Sequence, residues 1–269
     1  RGLGDVYKRQ VLVEQPPSHV LFLSSAGTDL SCLEAVVQAS PDWSSRIRAL
    51  HLDNLSHPAQ LDHYLASTAT QARLIVVRLL GSRGHWSYGL EQLQRWSDEG
   101  ADRQLLVLAG TVDQQGDLHG IGTVVPALAD RLAALLREGG ETNMARLLDA
   151  IQALLNGTPP DSEEIALVPL ADPFPWDWQD DPGATVGVVL YRAQLQAGDT
   201  ALAQHLNQAL RERGLRPRLI WVSSLRDPAV QAGVLDLLRS QGAQVVITGT
   251  AFASVTTEQA GLGSALWDS

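Results

Sequence analysis

The sequence predicts an α/β protein with two doubly wound, parallel-sheet units of flavodoxin-like or Rossmann-like type, the second of them truncated. Short continuous apolar runs alternate with amphipathic helical patterns, as expected for parallel strands covered by helices on both faces. A proline-rich acidic stretch at residues 157–184 interrupts the alternation, which then restarts. The length of 269 residues and the 45% hydrophobic content are sufficient for two packed cores.

The first predicted unit spans residues 11–156. Four short apolar runs have the character of buried strands, at residues 20–23, 47–52, 74–80 and 104–108. Helical periodicity follows the first strand, resumes after Thr123 with Pro126 in the first turn, and continues at residues 144–155. Asn156 and Gly157 provide the signal that ends this last helix.

The second predicted unit spans residues 185–269. Its three predicted strands are residues 186–191, 219–222 and 245–248. Asp199 or Thr200 is expected to cap one helix, and Asp227 followed by Pro228 is expected to begin another. Three strands make an incomplete sheet, so we expect this unit to be incomplete at its C-terminus. The linker at residues 157–184 holds Trp176 and Trp178, which we expect to be exposed.

The opening residues 1–10 fit no element of this pattern. They contain Lys8, the single lysine in a chain with nineteen arginines, and residues 2–10 resemble a non-native adapter sequence. We therefore expect an adapter-like segment that packs against nothing, attached to a fragment of a longer protein. Because the rest of the chain has no lysine, neither a P-loop nor Schiff-base chemistry is predicted there.

Charge and composition exclude several classes of partner. The net charge of −10 argues against a nucleic-acid-binding surface. No apolar run approaches the roughly 18 residues that a membrane-spanning helix needs. The single cysteine, Cys32, excludes an intrachain disulfide framework. These features predict a cytoplasmic protein that binds neither nucleic acid nor membrane.

Functional residue types gather where the predicted strands end, which is where ligands bind in open parallel sheets. Arginines offer a planar donor fork for carboxylates, and aromatic rings offer stacking surfaces. At the carboxyl end of the third strand and just beyond it, the candidate binding residues are Arg78, Arg83, His85, Trp86 and Tyr88. A glycine-rich turn with surface arginines is the alternative interpretation of this loop. For Arg78 the alternative is that it pairs with a buried acid of the fold.

A second loop follows the fourth strand and contains His119 between two nearby aspartates. His119 with Asp113 and Asp117 is consistent with an acid/base or metal cluster, or with a solvated turn. The spacing matches no recognised ligand pattern. We retain His119 as a candidate binding residue and predict no metal site.

The second unit repeats the pattern of strand, polar loop and capped helix. Its candidate residues are Tyr191, Arg192, Ser223, Ser224 and Arg226. Helix N-termini attract anions because unpaired N–H groups point outward there. Ordinary helix capping is the alternative interpretation.

The same loops resemble the CobN/magnesium chelatase large-subunit family over about residues 20–253. The longest motifs that carry the resemblance are the run from Arg78 to Gly89, the block from Tyr191 through Arg192 to Thr200, and the run from Val222 to Pro228. Shorter matches lie in order between and after them, at Leu118-His-Gly120, Glu138-Gly-Gly140 with Asn143, and Thr250-Ala-Phe252. Ser82 departs from the pattern, which has a second glycine at that position.

The resemblance implies the N-terminal part of an ATP-dependent cobaltochelatase subunit in cobalamin biosynthesis. Such a subunit binds hydrogenobyrinic acid a,c-diamide and inserts cobalt, which is a substrate ion. ATP with magnesium acts at the AAA+ partner subunits CobS and CobT. No catalytic residue is transferred by the resemblance, and the fragment alone is expected to be inactive. The alternatives are a magnesium chelatase large subunit of chlorophyll synthesis and a non-catalytic, two-lobed ligand-binding module.

Overall fold

The computed structural model describes residues 12–250 of the chain. The adapter-like segment at residues 1–10 and the end of the Thr250-Ala-Phe252 motif lie outside the described residues. The chain divides between Val168 and Pro169 into two compact units, which we call unit 1 and unit 2.

Unit 1 contains a four-stranded parallel sheet. Its strands are β1 (Val20–Ser24), β2 (Ile47–His51), β3 (Leu74–Leu79) and β4 (Gln104–Ala109). They are hydrogen-bonded in the order β2-β1-β3-β4. All side chains of β1 and β3 are buried, which explains why both strands appear in the sequence as short, nearly continuous apolar runs.

Helices cover both faces of this sheet. They are α1 (Gly27–Gln38), α2 (Pro41–Ser44), α3 (Pro58–Ser67), α4 (Ser87–Asp98), α5 (Gln115–Leu118), α6 (Pro126–Glu138) and α7 (Glu141–Leu155). Helices α1, α6 and α7 pack on one face, around Phe22 and Val76. Helices α3 and α4 pack on the other, around Leu23 and Val77. The alternation of β1 side chains between two cores makes the unit doubly wound.

Unit 2 contains a mixed four-stranded sheet in the order β5-β7-β6-β8. Its strands are β5 (Phe174–Trp176), β6 (Thr185–Tyr191), β7 (Arg216–Val222) and β8 (Ala243–Thr248), with helices α8 (Arg192–Gln196), α9 (Ala201–Glu212) and α10 (Pro228–Ser240). Strands β6, β7 and β8 are parallel. Helices α9 and α10 contribute to separate apolar clusters.

The α/β fold class is confirmed, with one difference in the second sheet. Strand β5 forms inside the stretch expected to be a linker, and it runs antiparallel to β7. Pro175 is tolerated there because β5 lies at the edge of the sheet. Both linker tryptophans are half-buried, contrary to expectation. Trp176 packs edge-to-face on Trp221, and the Trp178 indole N–H donates to the carbonyl oxygen of Leu219 at 2.9 Å.

Candidate functional site

The strand order of each unit identifies one crevice at the carboxyl ends of its strands, at the point where the order reverses. In unit 1 the chain passes from β1 out to β2 and then returns to β3 on the other side of β1. In unit 2 the chain passes from β6 to β7 and returns to β8 in the same way. Ligands bind beside the carboxyl ends of strands at such a reversal. The loops that leave these strand ends are therefore the candidate binding elements of each unit.

Arg78 is a residue of the interior of unit 1. It lies within β3, is 6% exposed, and forms an ion pair with Asp29 in the first turn of α1. Asp29 also accepts a hydrogen bond from the Ser24 hydroxyl at 2.6 Å, and Arg78 donates to the carbonyl oxygen of Leu136 at 3.3 Å. Arg78 thus joins β3 to α1 and to the end of α6. Its burial and its pairing with Asp29 agree with the alternative interpretation, in which Arg78 pairs with a buried acid of the fold, rather than with ligand binding.

Arg83 and His85 project from the loop that follows β3. Both side chains are exposed, and Arg83 forms no ion pair or side-chain hydrogen bond with any residue of the range 12–250. His85 is held through its Nδ1, which lies 3.1 Å from the Ser82 hydroxyl. Gly81 begins this loop at φ +125, a conformation that side-chain-bearing residues rarely adopt. The loop therefore presents one uncompensated guanidinium group.

Trp86 and Tyr88 do not form a shared stacking surface in this loop. The Trp86 ring turns inward onto the α3 and α4 core, and its indole N–H donates to the Leu55 carbonyl oxygen at 3.3 Å. Gly89 is required beside it because a Cβ at that position would overlap the Trp86 ring. Tyr88 donates its hydroxyl hydrogen to Asp62 at 2.7 Å, and this hydrogen bond raises the pKa of Tyr88.

Two exposed apolar side chains at the same edge were not predicted from the sequence. Leu80 is 47% exposed and Val112 is 67% exposed. Leu80 leans over Gly110, where a Cβ would overlap it, and the Gly81 N–H donates to the Gln114 side chain at 3.2 Å. These contacts join the loops that follow β3 and β4. Leu80 is the last residue of the predicted strand at 74–80, and Val112 lies four residues beyond the predicted strand at 104–108, so neither position marked an exposed surface.

His119 pairs with an acid that the sequence did not suggest. Its Nε2 lies 3.0 Å from both carboxylate oxygens of Asp130 in α6. Asp113 and Asp117 are not its partners. Across the part of the chain that the structure describes, no three His, Cys, Asp or Glu side chains are close enough to hold a metal ion.

In unit 2 the first residues beyond β6 and β7 converge on one acid. Asp172 accepts a hydrogen bond from the Ser223 backbone N–H at 3.1 Å. The other oxygen of the same carboxylate lies 4.0 Å from Arg192. The Arg192 side chain is 16% exposed and that of Asp172 is 20% exposed. Asp172 was not predicted as a site residue because it lies in the linker, distant in sequence from both loops.

The loop after β7 ends in an exposed arginine. Ser223 is exposed and Ser224 is half-buried. The Ser224 hydroxyl accepts the Arg226 backbone N–H at 3.2 Å. The Arg226 side chain is exposed and forms no ion pair with a residue between 12 and 250. Tyr191 is paired with Val222 at the carboxyl ends of the parallel strands β6 and β7, so Tyr191 and the loop that holds Arg226 lie at the same edge of the sheet. Burial raises the pKa of Tyr191, while the positive charge of Arg226 opposes that shift.

The four strand-end arginines therefore fall into two classes. Arg78 and Arg192 each have an aspartate partner, and we call them the held arginines. Arg83 and Arg226 are exposed and have no acidic partner among residues 12–250, and we call them the exposed arginines. Each unit contributes one of each class. Only the exposed arginines have their charge available for an anion.

No helix within residues 12–250 is both long enough and apolar enough to cross a bilayer. This finding agrees with the pattern of short, amphipathic helices that cover the two sheets.

Comparisons with known proteins identify relatives of this architecture. A family model described as CobN/Magnesium Chelatase matches residues 133–266. The aerobic cobaltochelatase subunit CobN of Sinorhizobium sp is 33% identical over 259 residues, covering 89% of this chain and 20% of that protein. The same-named subunit of Pseudomonas aeruginosa is 28% identical over 256 residues, covering 91% of this chain and 20% of that protein.

A solved structure shows the same fold. The catalytic subunit of cobaltochelatase from Mycobacterium tuberculosis superposes with a TM-score of 0.68 at 23% sequence identity, covering 87% of this chain and 18% of that one. The fold is that of one segment of this much longer subunit. The chain belongs to the CobN/magnesium chelatase family, and it spans about a fifth of the length of the curated relatives it matches.

Proposed function

We propose that this chain is part of the large subunit of an ATP-dependent aerobic cobaltochelatase. The subunit binds hydrogenobyrinic acid a,c-diamide and inserts cobalt during cobalamin biosynthesis in the cytoplasm. ATP with magnesium acts at the AAA+ partner subunits CobS and CobT. The observation that carries this proposal is the 33% identity to the Sinorhizobium CobN subunit over 89% of the chain.

Within that reaction, the proposed role of this segment is to bind the anionic macrocycle. A corrin ring with carboxylates needs cationic donors for its periphery and apolar surface for its ring. In unit 1, exposed Arg83 offers the first, and exposed Leu80 and Val112 offer the second. In unit 2, the loop that holds Arg226 leaves β7 at the same edge at which β6 ends with Tyr191. A hydrogen bond from a charged donor contributes roughly 1.5–3 kcal/mol.

The held arginines have a different proposed role. Arg78 is too deeply buried to reach a ligand, and its charge is compensated by Asp29. Arg192 is less buried, but its charge is shared with Asp172. We assign ligand binding to the exposed arginines and support of the loops to the held ones. The residues that insert the metal are not assigned.

The exposed arginines are tested by titrating the purified chain with hydrogenobyrinic acid a,c-diamide and following tryptophan fluorescence quenching. Arg83→Ala and Arg226→Ala are each expected to weaken binding about tenfold, the equivalent of about 1.4 kcal/mol. Added salt should weaken binding of the unmodified chain more than binding of either variant, because one screened charge is already gone.

Two exposed arginines at the C-terminal ends of helices provide matched controls. Arg95 is exposed in the last turn of α4, and Arg213 is exposed directly after α9. Arg95→Ala and Arg213→Ala remove the same charge and should leave affinity unchanged. Wild-type affinity in both Arg83→Ala and Arg226→Ala, with the fold intact by circular dichroism, would refute the assigned binding role.

A further inference from the structure

We infer that Asp172 is a positioning residue for the ligand-binding edge of unit 2. Its single carboxylate anchors the loop that follows β7, and through that loop it sets the position of Arg226. The inference rests on the proposed function, because Arg226 is the arginine proposed to bind the anionic ligand in this unit.

The geometry places Asp172 between two loops. One carboxylate oxygen accepts the N–H of Ser223, the first residue after β7. The other oxygen faces Arg192, the first residue after β6, at 4.0 Å. The first distance, 3.1 Å, is that of a hydrogen bond. The second is too long for one, so Arg192 acts on Asp172 through charge and keeps the carboxylate turned toward both loops.

Beyond the hydrogen bond from Ser223 to Asp172, further hydrogen bonds hold the loop that leads into α10. The Ser224 hydroxyl accepts the N–H of Arg226, and the Asp227 carboxylate accepts the N–H of Ala229 at the start of α10. Leu225 is buried in the α10 core. Arg226 itself has an exposed side chain. Anchoring its backbone lowers the entropy lost when the guanidinium group binds a ligand.

A competing interpretation gives the opposite sign. If Asp172 were only a negative charge near the binding edge, its removal would strengthen the binding of an anion. If Asp172 positions Arg226, its removal weakens binding, and the effect depends on the presence of Arg226. The two interpretations therefore differ in both the direction and the additivity of the mutational effects.

The test is a double-mutant cycle with the same corrinoid, hydrogenobyrinic acid a,c-diamide, titrated into the purified chain. Asp172→Ala is expected to weaken binding about fivefold, because the hydrogen bond that anchors Ser223 is lost. In the Arg226→Ala background, Asp172→Ala is expected to have no further effect. Asp172→Asn retains a carbonyl oxygen for the Ser223 N–H and is expected to bind within about twofold of the unmodified chain.

Hydrogen exchange supplies a readout that does not depend on the ligand. Asp172→Ala should speed amide exchange at residues 223–226, whereas Asp172→Asn and the control Arg213→Ala should not. If Asp172→Ala does not fold, the cycle is completed with Arg192→Ala, which removes the charge that orients the carboxylate and should weaken binding only when Arg226 is present.

Each outcome separates this inference from the proposed function. No effect of Arg226→Ala would refute the proposed binding role and with it the inference. If Arg226→Ala weakens binding, three results would overturn the inference alone. These are tighter or unchanged binding in Asp172→Ala, equal losses with and without Arg226, and a loss in Asp172→Asn as large as that in Asp172→Ala.

Discussion

Unit 1 and unit 2 each contain one held and one exposed arginine, but the held arginine differs between them in position and in burial. In unit 1 the held arginine, Arg78, lies inside strand β3, and both it and Asp29 are almost fully buried. In unit 2 the held arginine, Arg192, is the first residue beyond strand β6, and its ion pair with Asp172 is longer and partly exposed. An arginine inside a strand is a core residue here, whereas an arginine directly beyond a strand lies at the edge of the sheet.

The difference follows from where the strand ends relative to the covering helices. Arg78 lies within β3, where its side chain is buried against Asp29 in the first turn of α1. Strand β6 ends at Tyr191, and Arg192 begins a short helix. Removing one partner of a buried ion pair lowers the free energy of unfolding strongly, whereas a partly exposed ion pair contributes little to it. The two units should therefore respond very differently to equivalent substitutions.

The largest expected effect is that of Asp29→Ala in unit 1. This change leaves the buried Arg78 charge without its acid and should reduce the free energy of unfolding by about 3–5 kcal/mol. Asp172→Ala in unit 2 should cost at most about 1 kcal/mol. Urea denaturation, with hydrogen exchange in β3 and β6 to separate the units, measures both.

A compensating variant sharpens that comparison. Asp29→Ala combined with Arg78→Met removes both charges and should recover much of the lost stability, because no uncompensated charge remains. Equal destabilisation by Asp29→Ala and Asp172→Ala, or no recovery in the double variant, would mean that burial does not distinguish the two pairs.

A smaller effect is expected from Gly89→Ala in unit 1. The added methyl group overlaps the Trp86 ring and should destabilise the chain by about 1–3 kcal/mol while moving Trp86 out of the core. A shift in tryptophan emission reports the movement. Gly116→Ala is the control, because its methyl group meets nothing within 4 Å. An unchanged emission spectrum in Gly89→Ala would contradict the inward position of Trp86.

The smallest expected effect is on the chemical reactivity of Cys32. This residue lies in α1 and is buried in the core around Phe22 and Val76. Burial, with the negative charges of Glu141 and Asp29, raises the pKa of the Cys32 thiol to about 12. The thiol therefore stays protonated at neutral pH and is a poor nucleophile. A thiol reagent at pH 8 should react slowly with the native chain and rapidly in denaturant. Rapid native labelling would show that the α1 side of unit 1 opens easily.

Part of the site was predictable and part was not. The loops were located correctly from the apolar runs that precede them, and Asp227 caps α10 as expected. Arg78 was predicted correctly within the third strand, but it was also a candidate binding residue because arginines near the carboxyl ends of strands can reach a ligand, and the structure buries it. Its partner, Asp29, is 49 residues away. No local pattern identifies such a partner.

The sequence by itself determined the α/β class, the strands of both sheets other than β5, and the positions of the polar loops. Apolar periodicity and capping residues are local signals, and they are sufficient for these features. Only the tertiary structure decided which arginines are held and which are exposed, and that Asp172 joins two loops of unit 2. Those outcomes depend on contacts between residues distant in the chain, where burial and charge pairing are set by packing rather than by neighbours in sequence.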